Sequence, residues 1–486
     1  MNAALAAITI EESVAWGVLD FVVCTGARNA PLVVPLLQAP PPIRIWNHFD
    51  ERAAGFFALG LAKRDRRPVA VVTTSGTAVA ELLPAVIEAH YSGLPLVLIT
   101  ADRPKRFRST GAPQAIEQAH LFGRYCEGCL DVEAAEDFPI DFPWNRQRPL
   151  QVNPCFEEPR PEDSAPIDWE RALARGAAPF EAAIQPSSFG DPTLLDRFVA
   201  DFGDGVVLLG EVDRDQRPEV ESFLSRLGAP IWAEASSGLR ESALLSPFLL
   251  PGGDQAFQTW CPGKVLRIGG VPSLRFWRDL EVKPQVPVLS VTRTGFPGLA
   301  RPCEVTGWLD FSEPTIESCH SETDRPTISE SDWTEFPRSE PAMIHALSEI
   351  IPPEARVFLG NSLPIREWNL AATRGVPHPD VFANRGANGI DGEVSTFLGL
   401  SEGCEEAWGI FGDLTTLYDA NAPWTLGQLT AGKRRIVVIN NGGGRIFSRL
   451  PALSQVGAEE KVVTENRHSL SFEPWAAMWG VAYLEV

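Results

Sequence analysis

The sequence lacks two features that would place it in large classes of proteins. It contains no run of about 18 uncharged apolar residues, the length that a membrane-spanning helix requires. It also lacks an excess of basic residues, because 42 lysines and arginines stand against 63 aspartates and glutamates, a formal net charge of −21. This charge argues against non-specific binding to nucleic acid and against insertion into or binding to anionic membranes. An anionic substrate would have to be attracted by a local cluster of arginines.

Cysteine is also scarce, with 8 residues in 486. The amino-terminal segment carries Glu11 and Glu12 instead of the basic stretch of a secretory signal, so we expect a cytoplasmic protein with reduced thiols. Cys126 and Cys129 are spaced like half of a zinc site, but no second pair with ligand spacing follows. We therefore interpret these two residues as structural cysteines.

What the sequence does contain is a repeated alternation of short β-rich runs and helix-length segments such as residues 77–92. This alternation is typical of parallel sheets that are covered by helices on both faces. The β-rich runs are residues 21–23, 69–72, 96–99, 205–209, 264–268, 356–359 and 436–439. Polar, proline-containing stretches at 157–163 and 320–326 separate the blocks. The sequence predicts an α/β fold with three doubly wound parallel-sheet domains, at 1–165, 186–320 and 335–486.

A candidate metal site follows two of the predicted strands. Residues 408–411 read as a buried strand that ends in Gly412 and Asp413, and the strand 435–439 leads to Asn440 and Asn441. If the strands are neighbours, a carboxylate and an amide oxygen meet at the sheet edge where α/β proteins bind ligands. Such oxygens are the ligands that Mg²⁺ prefers. The simpler alternative, a strand end and an Asn-Gly turn without a ligand, stays open.

The predicted half-shell consists of the Asp413 and Asn441 side chains and the Gly443 carbonyl, with a diphosphate completing the coordination. The glycines at 442, 443 and 444 would let the backbone approach phosphate oxygens closely.

At these residues the sequence resembles the thiamine-diphosphate (ThDP) dependent enzymes. Their signature is a Gly-Asp pair separated by some 25 residues from Asn-Asn, and here 415–439 separate Leu414 from Asn440. Further motifs make the chain similar to one family among them, the 2-succinyl-5-enolpyruvyl-6-hydroxy-3-cyclohexene-1-carboxylate (SEPHCHC) synthases. These motifs are residues 49–63, 74–78, 100–104, 111–116, 360–366 and 384–392.

The resemblance implies an architecture and cofactors. Residues 1–165 would form the pyrimidine-binding domain, 186–320 the central domain and 335–486 the diphosphate-binding domain, which is shorter at its carboxyl end than in the family. ThDP and Mg²⁺ (or Mn²⁺) would lie between the pyrimidine domain of one subunit and the diphosphate domain of another, in a homodimer or homotetramer.

The resemblance also implies residue roles. Glu51 would be the catalytic glutamate that hydrogen-bonds the aminopyrimidine of the cofactor, and Ile390 would support its folded shape. The remaining cofactor contacts would be Ser75, Gly76, Ser362, Gly412, Asp413, Leu414, Asn441 and Ile446. The substrate contacts would be Arg28, Arg103, Gln114, Arg275, Ser362, Arg366, Arg385, Phe447 and Leu450.

The implied reaction decarboxylates 2-oxoglutarate and adds the resulting succinyl carbanion equivalent to isochorismate, a step of menaquinone biosynthesis. Because both substrates carry two carboxylates, a site of this type needs several arginines. Two alternatives remain: a ThDP enzyme acting on another 2-oxo acid, and a non-catalytic relative. Ala27 and Leu274, which stand where the family has a serine and often a lysine, favour the second alternative.

Overall fold

The computed structural model describes residues 2–161, 163, 165–177, 191, 193–258, 260–308, 311, 333 and 335–486. The predicted limits at 186 and 320 lie outside these residues, so the domain limits stay a prediction. In the described part of the chain, none of the helices combines the length and the apolar character needed to cross a membrane.

The first sheet has six parallel strands in the order β2-β1-β3-β4-β6-β5. Alternate residues of its central strands enter two separate apolar clusters: Val71 faces one cluster, and Ala70 and Val72 face the other. Side chains alternate along a strand, so both faces of this sheet are covered. The strands are β1 (Asp20–Val23), β2 (Arg44–Asn47), β3 (Val69–Thr73), β4 (Leu96–Thr100), β5 (Cys129–Val132) and β6 (Leu150–Pro154).

The helix-length segment between the third and fourth strands is interrupted. Residues 77–92 form two helices, because Pro84 has no N–H to donate to the carbonyl four residues earlier. The helices are α1 (Asn2–Ala15), α2 (Ala30–Leu36), α3 (Glu51–Asp65), α4 (Thr77–Ala80), α5 (Leu83–Ser92) and α6 (Trp169–Gly176). Helix α3 starts at Glu51 because the Asp50 carboxylate accepts a hydrogen bond from the Ala53 N–H.

The second sheet has five parallel strands in the order β11-β10-β9-β7-β8, and it also separates two apolar clusters. Its strands are β7 (Val206–Leu209), β8 (Ile231–Ala233), β9 (Val265–Ile268), β10 (Val288–Val291) and β11 (Glu304–Thr306). The helices described here are α7 (Leu194–Val199), α8 (Arg217–Leu227) and α9 (Arg275–Asp279).

The third sheet has four parallel strands in the order β13-β12-β14-β15, so that β15 lies at its edge. The strands are β12 (Arg356–Leu359), β13 (Val381–Phe382), β14 (Glu406–Gly412) and β15 (Lys433–Ile439). The helices are α10 (Glu340–Ile350), α11 (Leu363–Ala371), α12 (Glu393–Leu400), α13 (Asp413–Tyr418), α14 (Pro451–Ser454), α15 (Glu460–Thr464) and α16 (Glu473–Met478). Three parallel sheets with helices between their strands confirm the predicted α/β class.

Helices α3 and α12 join the first and third sheets by an unusually close approach. A Cβ atom on Gly60 would lie 2.0 Å from the Thr396 carbonyl oxygen, and one on Gly399 would lie 2.1 Å from that of Phe57. Only glycine fits at both positions, since any side chain would push the helices apart. One apolar cluster consequently spans both sheets, and the amino-terminal ends of α3 and α12 are fixed relative to each other.

Candidate active site

The predicted metal-site residues meet at adjacent strand ends. Gly412 of β14 is in register with Ile439 of β15, so Asp413 and the 440–443 turn follow neighbouring strands. Asp413 is buried, and its Oδ2 accepts a hydrogen bond from the Gly443 N–H at 2.8 Å. Its Oδ1 accepts from the N–H of the predicted cofactor contact Leu414 at 2.7 Å. Asp413 and Gly443, two members of the predicted half-shell that are 30 residues apart in the sequence, are therefore in direct contact.

Asn441 presents an oxygen that has no protein donor. Its Nδ2 donates to Glu340 Oε1 at 2.9 Å, which fixes the orientation of the amide. The Oδ1 atom is buried and has no hydrogen-bond partner among the described residues. A buried carbonyl oxygen without a donor costs free energy unless a cation or water satisfies it. A cation beside Asp413 and Asn441 would do so.

The backbone conformation at position 443 requires glycine. Its φ is +131°, and a Cβ atom there would lie 2.5 Å from the Glu465 carbonyl oxygen. Its carbonyl, the third predicted metal ligand, accepts one hydrogen bond from the Arg445 N–H at 2.8 Å and keeps a second lone pair. The tight turn thus needs glycine and still leaves the carbonyl able to bind a cation.

Several residues that the sequence did not suggest lie around this turn. His468 Nε2 lies 3.2 Å from Asp413 Oδ2, and Glu367 is buried beside Glu340 and Arg449. Burial, followed by the neighbouring Glu340 carboxylate, raises the pKa of Glu367 to about 7. No local pattern identifies these residues, because helices α10 and α11 and the chain after β15 bring them together.

Glu51 is the first residue of α3 and is half-buried. Burial raises the pKa of its carboxyl; its own backbone N–H opposes the shift, and the Asp50 and Glu81 charges add to it. The neighbouring Arg52 donates to the Tyr418 carbonyl at 3.0 Å, and Asn421 donates to Asp50. Hydrogen bonds thus connect the start of α3 to the segment 418–421, which follows Asp413.

The predicted contacts from the first sheet lie together. Gly76 has a φ of +91°, and a Cβ atom there would lie 3.3 Å from the Cα of Gln114. Ser75 is buried beside Gly76, whereas Gln114 is exposed. The Gly76 N–H donates to Gln118 Oε1 at 3.1 Å, so Gln118 is a supporting residue that the sequence did not suggest.

Two of the predicted arginines, Arg366 and Arg385, are close enough for their charges to interact, and neither has an ion-pair partner in the described part of the chain. Arg366 Nη1 donates to the Ser362 carbonyl at 2.5 Å, and Arg385 Nη1 donates to Asn361 Oδ1 at 2.8 Å. Burial first, and then the charge of Arg385, lowers the pKa of Arg366. Neither guanidinium forms an ion pair with any described carboxylate. The Glu234 and Asp254 charges act on Arg366 in the opposite direction to Arg385, but without an ion pair. Two partly desolvated cations without an ion-pair partner among the described residues are suited to a ligand with several carboxylates.

The other three predicted arginines differ in their surroundings. Arg103 stacks on Phe107, with 5.5 Å between the guanidinium carbon and the ring centroid. Arg28 is buried and forms an ion pair with an exposed carboxylate, Glu158, at 2.9 Å. Arg275 is 56% exposed and pairs with Asp279 at 3.4 Å. The chain by itself therefore does not bring Arg275 into a buried site.

The remaining predicted contacts are Ser362 and four apolar residues. Ser362 precedes α11 with φ +71°, a conformation that is costly for a residue with a side chain and that often occurs at functional sites. Ile390 lies two residues before the glycine that precedes α12 and is partly buried. Ile446 and Phe447 lie in the 3₁₀ helix Arg445–Arg449, followed by Leu450, and all three are partly buried.

Comparison with known proteins decides the family. Residues 4–121 match the family described as "Thiamine pyrophosphate enzyme, N-terminal TPP binding domain". The SEPHCHC synthase of Bdellovibrio bacteriovorus is 41% identical over 497 aligned residues, which cover 99% of this chain and 91% of that protein. The SEPHCHC synthase of Akkermansia muciniphila is 41% identical, with 97% of this chain and 89% of that protein covered. The chain belongs to the SEPHCHC synthase family.

Membership of the SEPHCHC synthase family confirms the resemblance inferred from the motifs and makes the chain a ThDP-dependent enzyme. A solved structure, that of benzoylformate decarboxylase from Polynucleobacter necessarius, matches with a TM-score of 0.72 and covers 100% of this chain and 94% of its own. At 15% identity, that likeness supports the fold alone.

The residues present in this SEPHCHC synthase relative fit a divalent cation and a diphosphate. The orphaned Asn441 Oδ1, the buried Asp413 carboxylate and the glycine turn supply oxygen ligands and close backbone approach. Another acidic group, Asp102, Asp131 and Cys155, has ligand-type atoms within 4.8 Å of one another. There Arg108 donates to both carboxylates, so a guanidinium already neutralises the cluster.

Proposed function

We propose that this chain is a SEPHCHC synthase, which converts 2-oxoglutarate and isochorismate into SEPHCHC and CO₂ for menaquinone biosynthesis. The observation that carries the proposal is the pair Arg366 and Arg385. These cations lie near each other without a carboxylate partner, and they belong to the same segments as the predicted cofactor contacts Ser362 and Ile390. Both proposed substrates are dicarboxylates, whose charge such a pair would balance.

The proposed roles of the residues follow from their positions. Bound ThDP supplies the carbanion chemistry needed to decarboxylate a 2-oxo acid. Glu51 holds a proton or a hydrogen bond at the cofactor's aminopyrimidine, and burial, which raises the pKa of Glu51, favours the protonated form that can donate. Gly76, Gln114 and Ser75 orient ligands from the first sheet. Arg28, Arg103, Arg366 and Arg385 bind substrate carboxylates, and Phe447 and Leu450 exclude water.

The proposed metal is Mg²⁺ (or Mn²⁺), held by Asp413, Asn441 Oδ1 and the Gly443 carbonyl, with the cofactor diphosphate close to Gly412 and Leu414. In this proposal the 335–486 region is the diphosphate-binding domain, 1–165 the pyrimidine-binding domain and 186–320 the central domain. The unsatisfied Asn441 oxygen supports the assignment, because it needs a cation or a donor where the turn approaches Asp413.

We further propose that the functional unit is a homodimer or a dimer of dimers. Phe49 and Trp424 are 56% and 41% exposed and stack edge to face at 5.0 Å, two residues from the half-buried Glu51. Exposed aromatic surface beside a catalytic residue favours coverage by a second copy. Sedimentation analysis of Phe49→Asp, which should populate monomers and lose ThDP affinity, tests this.

A cytoplasmic location is proposed because the seven described cysteines are all free thiols.

The decisive experiment mixes the protein with Mg²⁺, ThDP, 2-oxoglutarate and isochorismate, and follows CO₂ and adduct by mass spectrometry. We expect adduct formation that requires all four components. CO₂ release from 2-oxoglutarate without consumption of isochorismate would contradict the proposed carboligation. Faster turnover of pyruvate than of 2-oxoglutarate would instead identify an enzyme for another 2-oxo acid. Absence of calorimetric ThDP binding with Mg²⁺ present would identify a non-catalytic relative.

A further inference from the structure

Asn361 is a fully bonded side chain next to the arginine pair. It is buried after β12, and its Nδ2 donates to the carbonyls of Asn384 and Gly389, both at 2.8 Å. Its Oδ1 accepts from Arg385 Nη1 at 2.8 Å. The amide has only one productive orientation, because a flip would place its oxygen against two carbonyls and its amine against a guanidinium.

The backbone of Asn361 is fixed as well. Both carboxyl oxygens of Glu393 face its N–H, at 2.9 and 3.2 Å. Glu393 is buried at the start of α12, the helix that packs closely against α3. Helix α12 thus holds the Asn361 backbone, and the loop 384–389 holds its side chain.

The loop 384–390 meets all three sheets. Glu88 of α5 accepts hydrogen bonds from the N–H groups of Gly386 and Ala387 at 2.8 and 2.6 Å. Arg385 and Gly386 also line a cavity of about 430 Å³, which they share with residues that follow the strands of the second sheet. The backbone of this loop is thus held at several points, whereas the Arg385 side chain makes one hydrogen bond to the described residues.

Among the described residues, Asn361 is the hydrogen-bond partner of the Arg385 guanidinium, whose Nε is buried without a partner. Arg366 lies close enough for its charge to repel that of Arg385. Without Asn361, the guanidinium would therefore lose its direction. A neutral amide holds an arginine without cancelling its charge, whereas a carboxylate at the same place would cancel it.

We propose that Asn361 is a positioning residue that aims the Arg385 guanidinium at a substrate carboxylate while keeping its charge available. The inference rests on the proposed function, since it requires Arg385 to bind one of the two dicarboxylates. It adds a specific role: Asn361 touches no substrate, acts through Arg385, and must be an amide and not an acid.

The test is a double-mutant cycle with Asn361→Ala, Arg385→Gln and the double variant, each as the ThDP and Mg²⁺ loaded enzyme. We expect Asn361→Ala to raise KM for one dicarboxylate by about tenfold or more, with kcat within about threefold. In the Arg385→Gln background the same change should alter kcat/KM by less than about twofold, because the positioned group is absent. Equal effects in both backgrounds would overturn the inference.

A second variant tests the charge at position 361. Asn361→Asp keeps the size and the contact to Arg385, but it supplies a negative charge and loses the two hydrogen bonds that Nδ2 donates, so KM should again rise by about tenfold or more. A KM equal to that of the parent would contradict the role. Asn369→Asp is the matched control: it is a buried asparagine of α11 that bonds Ala235 and Ser273, and its KM should stay within about twofold of the parent.

The two proposals fail in different ways. If the parent enzyme forms no adduct from the two dicarboxylates, the proposed function is wrong and the inference falls with it. If the parent is active but the cycle is additive, only the role of Asn361 is wrong. Asn361→Ala and Asn361→Asp lose buried hydrogen bonds to two backbone carbonyls, so both should melt at a lower temperature than the parent. Calorimetric ThDP affinities within about threefold of the parent then show that the site is still folded and that the change in KM reports the positioning of Arg385.

Discussion

The carboxylate of Asp413 accepts a hydrogen bond from the backbone N–H of Gly443 at 2.8 Å. The bond joins the ends of the neighbouring strands β14 and β15. Asp413, which follows β14, therefore helps to fix the turn after β15 that carries Asn441. It uses Oδ2, while Oδ1 accepts from the Leu414 N–H, so each oxygen keeps a lone pair for a cation. Asp413 and the glycine turn therefore form one hydrogen-bonded unit, and loss of the Asp413 carboxylate should disturb both.

Asp413→Ala should weaken Mg²⁺-dependent ThDP binding about 10- to 100-fold, because it removes the proposed metal ligand and the acceptor that holds the turn. Calorimetric titration of ThDP at fixed Mg²⁺ measures the change. The control is Asp201→Ala, since Asp201 is 97% exposed and should leave the affinity unaltered. Equal affinities for parent and Asp413→Ala would exclude Asp413 as a ligand.

Glu51→Gln should keep ThDP affinity within about threefold while slowing exchange of the cofactor's C2 proton about 100-fold or more, because the amide cannot supply the same proton. Proton exchange followed by NMR after quenching in acid checks this. Glu81→Gln is the matched control: Glu81 is exposed, and its charge helps to raise the pKa of Glu51. Its loss should lower that pKa slightly without abolishing exchange, whereas parent-like exchange in Glu51→Gln would disprove the assigned role.

Glu393 should make folding stability depend on pH. Burial raises the pKa of its carboxyl well above the usual value; the Asn361 N–H and Arg385 oppose the shift, and Glu88 and Asp391 add to it. The folded state therefore holds a proton that the unfolded state loses, so this contribution to stability is present below the usual glutamate pKa and is lost as pH rises towards the folded value.

Glu393→Gln should flatten this dependence, by at most about 1.4 kcal/mol per pH unit. Urea unfolding of parent and variant between about pH 5 and pH 8 gives the comparison, and the variant should gain stability relative to the parent as pH rises. Other buried acids, such as Asp419, whose pKa burial raises to about 6, contribute equally to both proteins. Parallel curves would show that Glu393 does not titrate as expected.

Replacement of a buried arginine should raise KM more than replacement of an exposed one. Arg366→Gln should raise KM for a dicarboxylate by about tenfold or more, since a charged hydrogen bond in a desolvated site contributes about 1.5–3 kcal/mol. Arg275→Gln should change KM by less than about threefold, because Arg275 is 56% exposed and already pairs with Asp279. Steady-state kinetics with each substrate varied in turn gives both values. A larger effect at Arg275 would mean that the loaded enzyme draws the central domain over the site.

Much of the fold could be predicted from local pattern. Each predicted β-rich run overlaps an observed strand, because runs such as those of β3 and β4 are buried on both faces and therefore apolar throughout. The helix-length segment 77–92 holds two helices, and Pro84 explains the break between them. The site was identified partly through motifs, but Glu340, Glu393 and His468 could not be found, because each is a common residue type without a local signal.

The sequence by itself determined the α/β class, the family and the strand ends that carry Asp413 and Asn441, since strand ends and glycine turns are encoded by neighbouring residues. Only the tertiary structure decided which predicted groups have partners. In the part of the chain that the structure describes, it left Asn441 Oδ1 without a donor and Arg366 and Arg385 without an ion-pair partner, whereas Arg275 became exposed and paired. Burial and hydrogen bonding depend on segments far apart in the chain, and these determine whether a charge or a lone pair remains available to a ligand.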